Sequence, residues 1–168
     1  MENTRTLADA DLPALLALCA EAGWNQTERD WRRLMAMEPG GCLGLEQDGA
    51  IVATATAVCY GRELAWIGMV LTDPRRRGRG FGTRITSLAV EHARRSGVRV
   101  VKLDATDMGK PVYLRLGFEE EGPIERWRRE GIEPPSGSAA AEAACRPWEP
   151  DPELDHAAFG ADRSALLA

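Results

Sequence analysis

Long apolar runs are missing from this chain of 168 residues, so no bilayer-spanning helix is expected. The start, Met1-Glu2-Asn3-Thr4-Arg5, has no hydrophobic stretch behind a basic head, so no secretory leader is expected either. Cysteine is sparse: the four, at 19, 42, 59 and 145, include no pair spaced like a zinc knuckle or a redox dithiol. Cys19, Cys42 and Cys59 stand among apolar neighbours and read as small hydrophobes, which suits a reducing cytoplasm. Histidine is confined to His92 and His156, no His/Cys/Asp/Glu set has ligand spacing, and no metal is expected. A basic excess is also absent. Lys and Arg number 21 against 26 Asp and Glu, a net charge of −5, which argues against a dedicated nucleic-acid binder.

What is present is an ordinary globular balance, 44% apolar and 28% charged. At this length one domain is the default, and roughly two-thirds of the unfolded surface can be buried without disulfides or metal. Asp9 reads as the cap of a helix carrying Leu12, Leu15, Leu16 and Cys19 on one stripe, with Pro13 in its first turn and Gly23 at its end. Thr27 caps a second helix with Trp31, Leu34 and Met35, stopped by Pro39-Gly40-Gly41. Strand signals follow at 42–45 and 51–59 around Gln47-Asp48-Gly49, a hairpin pattern, and again at 64–72. Phe81, Ile85, Leu88, Ala89 and His92 then share a helical face, and His92 there reads as a structural histidine. Ser96-Gly97 stops that helix, and a valine-rich strand is expected over 98–105. Residues 64–105 thus read as a βαβ unit. A short helix over 110–116 and a strand from Phe118 complete the pattern.

The densest chemistry lies in Thr72-Asp73-Pro74-Arg75-Arg76-Arg77-Gly78-Arg79-Gly80-Phe81-Gly82-Thr83. Glycines at 78, 80 and 82 let backbone N–H groups face one concavity. The following helix adds unpaired N–H groups and the positive end of its dipole, which together suit a diphosphate. Arg75, Arg76, Arg77 and Arg79 are placed to reach further phosphate. Position 83 is Thr, which breaks the Gly-x-Gly-x-x-Gly pattern, and no Gly-Lys-Ser/Thr follows, so neither a dinucleotide fingerprint nor a P-loop is present. The plain alternative is an exposed arginine-rich turn capping a helix.

Arg77-x-x-Gly80-x-Gly82 after a strand resembles the acyl-CoA motif of the GNAT superfamily of N-acetyltransferases. Tyr113-Leu114-Arg115-Leu116-Gly117-Phe118 resembles the Tyr-x-x-x-Gly-Phe segment that closes the same site. The resemblance implies a mixed α/β fold with a central, mostly antiparallel sheet and a βαβ acyl-CoA-binding unit. It implies acetyl-CoA as co-substrate, with the backbone of Val70, Leu71 and Thr72 on the pantetheine arm. Gly78, Arg79, Gly80, Phe81, Gly82 and Thr83 would cradle the diphosphate, with Arg77 beside them. Thr106 stands where the superfamily often has Asn, and its hydroxyl is the candidate to replace that contact. By the same analogy Trp24 and Asn25, in the loop joining the first two helices, border the acceptor pocket; Trp66 is a second aromatic candidate, with core packing as its alternative.

Acetyl transfer to an amine needs a neutral amine and a protonated leaving thiolate. A lysine-like amine, with pKa near 10.4, is neutral in only about one molecule in 2,500 at pH 7, a cost of about 4.6 kcal/mol. Tyr113 has the chemistry of the general acid. Asp104 is a candidate base, with a salt bridge to Lys102 or a nearby arginine as its alternative; Asp107 and Glu63 are weaker candidates, and a water chain is another route. The acceptor expected is a small primary amine, ahead of a protein lysine or N-terminus. The rival functions are a non-catalytic acyl-CoA sensor and an RNA- or phosphoprotein-binding module using Arg75 to Arg79. No nucleic acid and no membrane are expected as partners, and a homodimer is left open. The domain is expected over residues 1–132. A Pro/Ala-rich linker and docking tail follow over 133–168, with a weak helix at 139–144 and Leu154, Phe159, Leu166 and Leu167 as docking residues. The stretch 159–167 resembles the junction in longer, tandem proteins of the superfamily.

Overall fold

Asp48 and Gly49 both take left-handed backbone, with φ of 53° and 81°. A two-residue turn of that hand matches the twist of the strands it joins, so β2 (Cys42–Gln47) and β3 (Ala50–Tyr60) form a hairpin. The protein is described here from a computed structural model that covers residues 2–125 and 151–167. After Tyr60 the chain turns back into β4 (Leu64–Thr72), antiparallel to β3. α3 (Phe81–Arg95) then crosses over to β5 (Val100–Leu103), which runs parallel to β4. β5 is shorter than the expected 98–105.

A strand not anticipated, β1 (Glu2–Thr6), pairs antiparallel with β2 and completes a sheet of order β1-β2-β3-β4-β5. The fold is therefore mixed α/β with a mostly antiparallel sheet and one βαβ unit. The strand expected from Phe118 is absent among the described residues. The Phe118 N–H instead donates to the Tyr113 carbonyl at 3.1 Å, and the acidic run that follows is held by ion pairs, Lys102 to Glu121 and Lys110 to Glu120, each 2.7 Å.

A single turn of 3₁₀ helix (Asp9–Asp11) leads into α1 (Leu12–Glu21), and α2 is Glu28–Met37. Asp9 does not cap α1. Asp11 organises the start instead: its carboxylate accepts from the Ala8 N–H at 2.9 Å and from both Arg5 terminal nitrogens at 2.7 Å. The Thr27 cap is as expected: Thr27 Oγ1 accepts from the Asp30 N–H while Asp30 accepts from the Thr27 N–H. The Arg5 guanidinium holds the Asp11 carboxyl below its ordinary range. A depressed carboxyl contributes stability above its unfolded value and loses that contribution as pH falls through its folded value. Asp11→Asn should therefore lower unfolding free energy at pH 7 by about 1–3 kcal/mol. The gap from wild type should narrow as pH drops below the ordinary carboxylate range, near 3.9. Denaturant titrations at both ends of that range check it, and an undiminished gap at acid pH refutes it.

Two apolar clusters flank the sheet. One joins Leu45, Val52, Ala55, Ala57 and Ile67 to Phe81, Ile85 and Ala89 of α3. The other joins Cys42 and Leu71 to Leu12, Leu15 and Cys19 of α1 and Trp31 of α2. The Cys19 and Cys42 side chains are core, and burial pushes the Cys42 thiol up to about 12. Ile67 and Leu71 have the same parity in β4 yet belong to opposite clusters. A register irregularity between Thr54 and Thr56, opposite a left-handed Met69 (φ 47°), shifts the alternation by one. The Thr54 hydroxyl donates to the Met69 carbonyl at 2.8 Å and secures the bulge.

The tail docks through α5 (Pro152–Phe159) and α6 (Ser164–Leu167). Phe159 lies edge-on to Tyr60 and tilted against Trp66, with ring centroids 5.2 and 5.3 Å away. Arg163 stacks over Phe159 at 4.3 Å and pairs with Asp155 at 2.6 Å. Leu166 packs with the same cluster, but Leu154 is 67% exposed and does not dock. Cys145 and the weak helix expected at 139–144 lie outside the described residues, as does the 132/133 boundary. No helix among the described residues is long and apolar enough to cross a membrane.

Candidate functional site

The bulge in β4 leads to the site. β5 pairs with β4 only from Leu64↔Val100 to Ile67↔Leu103. Beyond Ile67, β4 keeps its pairing to β3 but has no strand partner on the β5 side among the described residues. Val70, Leu71 and Thr72 lie on this stretch, where backbone groups are left for something other than a strand. Their side chains are committed to packing, Val70 against the α3 cluster and Leu71 within the α1 cluster.

The glycine turn follows directly. Asp73 accepts from the Arg75 N–H at 2.9 Å and starts a 3₁₀ turn, Pro74–Arg76. Gly78 and Gly80 are left-handed, at φ of 76° and 82°, and Gly80 is the N-cap of α3. A Cβ at Gly82 would stand 3.3 Å from Thr72 Oγ1, so the first turn of α3 lies tight against the end of β4. The first N–H groups of α3, at Phe81, Gly82 and Thr83, have no carbonyl one turn back. Phe81 is itself a core anchor, 4% exposed.

The arginines are less free than their number suggests. Arg75 makes two contacts to Asp73, at 3.0 and 3.1 Å, and approaches Glu21 at 3.8 Å. Arg76 donates to the Gln47 side-chain oxygen. Arg79 lies over the Phe81 ring at 5.0 Å, and Arg77 reaches the Thr72 carbonyl at 3.4 Å. Arg77 and Arg79 thus make no salt bridge and no hydrogen bond to a carboxylate or side-chain amide among the described residues, although Arg79 lies close enough to Asp48 to act on its charge.

α4 (Lys110–Arg115) packs against α3 and carries Tyr113. Tyr113 is 8% exposed, its ring meets Phe118 edge-on at 6.2 Å, and its hydroxyl has no hydrogen-bond partner among the described residues. Burial raises its pKa, so the phenol keeps its proton through neutral pH. Gly109 is what admits the ring, since a Cβ there would sit 2.9 Å from it. Thr106 helps start α4: its hydroxyl oxygen accepts from the Gly109 N–H at 3.2 Å and keeps its own proton to donate. Asp104 follows the last residue of β5; it is an exposed residue, and the desolvation it does undergo raises its carboxyl pKa. The salt bridge to Lys102 expected as its alternative is absent, because Lys102 pairs with Glu121.

On the α1–α2 side, Trp24 packs half-buried against the second cluster and Asn25 is exposed. Trp66 is taken up by the tail, so its packing reading holds. His92 is half-buried on α3, and its partner was not foreseen: Nε2 lies 3.0 Å from Glu38 Oε1. Cys59 adjoins the same pair, and nothing in local spacing brings residues 38, 59 and 92 together.

Comparison with known proteins places the geometry. The model of the acetyltransferase (GNAT) family matches residues 9–118. The uncharacterized N-acetyltransferase YitH of Bacillus subtilis is 28% identical over 96% of this chain and 57% of its own length. A solved structure from Pyrococcus horikoshii superposes with a TM-score of 0.75 at 21% identity, over 99% of this chain and 60% of that one. Rv2747 of Mycobacterium tuberculosis, solved in complex with CoA and NLQ, has a TM-score of 0.63 at 19% identity, over 88% of this chain and 83% of its own. The chain spans a little over half the length of YitH and of the Pyrococcus protein.

Proposed function

Because the chain belongs to the acetyltransferase (GNAT) family, we propose that it transfers an acetyl group from acetyl-CoA to a primary amine, a small molecule in preference to a protein. The observation that carries this reading is the free edge of β4 beyond Ile67, running straight into the left-handed turn Gly78–Gly80. A pantetheine arm can use the backbone of Val70, Leu71 and Thr72 as a strand would. Its diphosphate then falls at the N–H groups from Gly78 to Thr83. The CoA bound by Rv2747 in the same fold supports the cofactor assignment.

In this reading Tyr113 donates a hydrogen bond, and then its proton, to the departing sulfur. Asp104, directly or through water, takes the proton from the attacking amine; its raised pKa makes it a stronger base than an ordinary aspartate. Activity relying on it falls as pH drops through that raised value. Thr106 contributes a hydroxyl to the pantetheine. Trp24 and Asn25 border the amine, in a compact loop suited to a ligand of a few carbons. The internal engagement of Arg75 and Arg76 argues against a phosphate-binding surface for nucleic acid.

The deciding experiment is thiol release from acetyl-CoA over a panel of polyamines, amino acids, aminoglycosides and short peptides. Turnover with a small amine is expected. CoA binding without turnover on any amine favours a sensor, and reaction with peptides alone overturns the small-amine reading. For the best acceptor, Trp24→Ala should lower kcat/KM and leave CoA affinity unchanged, as calorimetry with CoA will register. Arg77→Ala should weaken CoA binding by less than about tenfold, since backbone donors carry the diphosphate and one exposed charged contact adds little. A larger loss by the same calorimetry would make Arg77 a principal phosphate ligand.

A further inference from the structure

The turn that closes α2 gathers a carboxylate, a thiol and an imidazole from three elements. Glu38 follows the last residue of α2. Its Oε1 lies 3.0 Å from His92 Nε2 on α3, and its Oε2 accepts from the Cys59 N–H of β3 at 3.2 Å. One carboxylate oxygen of Glu38, Cys59 Sγ and a ring nitrogen of His92 all lie within 4.8 Å of one another. The group is sheltered, with the His92 and Glu38 side chains 18% and 21% exposed, and it remains open enough for an ion to enter. The backbone is shaped for this approach. A Cβ at Gly41 would meet the Ala57 carbonyl at 2.1 Å and Glu38 Cγ at 2.5 Å, and one at Gly40 would sit 3.1 Å from His92 Cε1.

We propose that Glu38, Cys59 and His92 form a Zn²⁺ site that clasps α2, β3 and α3, with the fourth position taken by water. The ligand types are those zinc takes, and one ion at tetrahedral bond lengths would hold three such atoms about 3.3–3.8 Å apart. The three atoms lie within 4.8 Å of one another, so binding an ion would have to draw the most distant of them about an ångström closer. Carboxylate and thiolate together balance the dication, so the filled site is neutral. A hydrogen bond between His92 and Glu38 accounts for that one contact, but it leaves the Cys59 thiol in the same cluster beside a carboxylate. Ser96 also neighbours that thiol, and a dication placed between the sulfur and Glu38 would be attracted to both. On binding, the S–H bond is replaced by a Zn–S bond and the proton leaves to solvent, with no change of oxidation state. None of the three residues takes part in the proposed acetyl transfer, so the site stands or falls apart from it.

The test is titration of the chelator-treated full chain with Zn²⁺ alone, followed by calorimetry, with Co²⁺ as the spectroscopic substitute. One ion per chain is expected, with release of a proton, a rise in Tm, and a thiolate-to-cobalt charge-transfer band. Cys59→Ser and His92→Gln should each weaken Zn²⁺ binding by about 100-fold or more, roughly one ligand's share of a structural zinc site. Circular dichroism separates lost binding from lost fold. If Cys59→Ser fails to fold, protection of Cys59 from alkylation by Zn²⁺ in wild type, read by peptide mass spectrometry, decides. The proposal is overturned if no saturable binding occurs, if both variants bind Zn²⁺ as wild type does, or if Cys59 alkylates equally with and without the ion.

Discussion

Replacing Tyr113 with phenylalanine is expected to lower kcat by roughly 10- to 1,000-fold, the range for loss of a positioned proton donor. Affinity for CoA should be nearly unchanged. The substitution keeps the ring that Gly109 admits and that meets Phe118, and it removes only the hydroxyl, which has no partner among the described residues. A phenol that stabilised the fold by hydrogen bonding would have one. Because burial raises its pKa, Tyr113 stays protonated across pH 6–9, and the loss should be similar throughout that range. Single-turnover measurements keep slow product release from hiding the effect. An unchanged single-turnover rate over that range would leave Tyr113 as a packing residue.

The second large effect is expected at Gly80. Gly80→Val should weaken CoA binding by about 10- to 100-fold, the equivalent of the 1–3 kcal/mol that a side chain costs in strained backbone. Space is not the cause, because a Cβ at Gly80 meets nothing within 4 Å. The cause is φ of 82° at the residue that caps α3. A β-branched residue avoids that region, so the turn must rearrange and the N–H groups lose their common aim. Gly82→Val acts by another route, driving its side chain onto Thr72 and prising α3 from β4. Calorimetry with CoA, beside a Tm for each variant, separates a lost site from a lost fold. Retained affinity in both folded variants would move the diphosphate elsewhere.

The two predictions rest on features that the sequence made legible to different degrees. Asp48-Gly49, the Thr27–Asp30 box and the stripe from Phe81 to His92 are local patterns, and each forms where its residues demand. The glycines of the turn were equally plain, since positive φ is a property of single residues. β1 escaped notice because Glu2-Asn3-Thr4-Arg5-Thr6 has no apolar alternation; it is held by backbone pairing and by Arg5 contacts to Asp11 and Glu46. The partners of Arg75 and Arg76, like those of Lys102 and His92, are set by tertiary packing. The break in β4 was hidden for a different reason: Ile67 to Leu71 reads as a continuous apolar run, and nothing in such a run marks where its alternation slips.

That slip at Met69 governs which changes of chain length the domain can survive. Deleting Met69 would remove the bulge and leave Leu71 opposite Thr54, still on the α1 side, whereas a deletion between Leu64 and Ile67 would leave the bulge in place and turn one end of the strand over. A residue added there would do the same. The exposed acidic stretch 119–121 carries no such parity, since no strand among the described residues depends on its count. Descendants of this chain can therefore exchange side chains along β4 with some freedom while the number of residues in it stays fixed except at the bulge, and their other gains and losses of length should gather in connections such as 119–121.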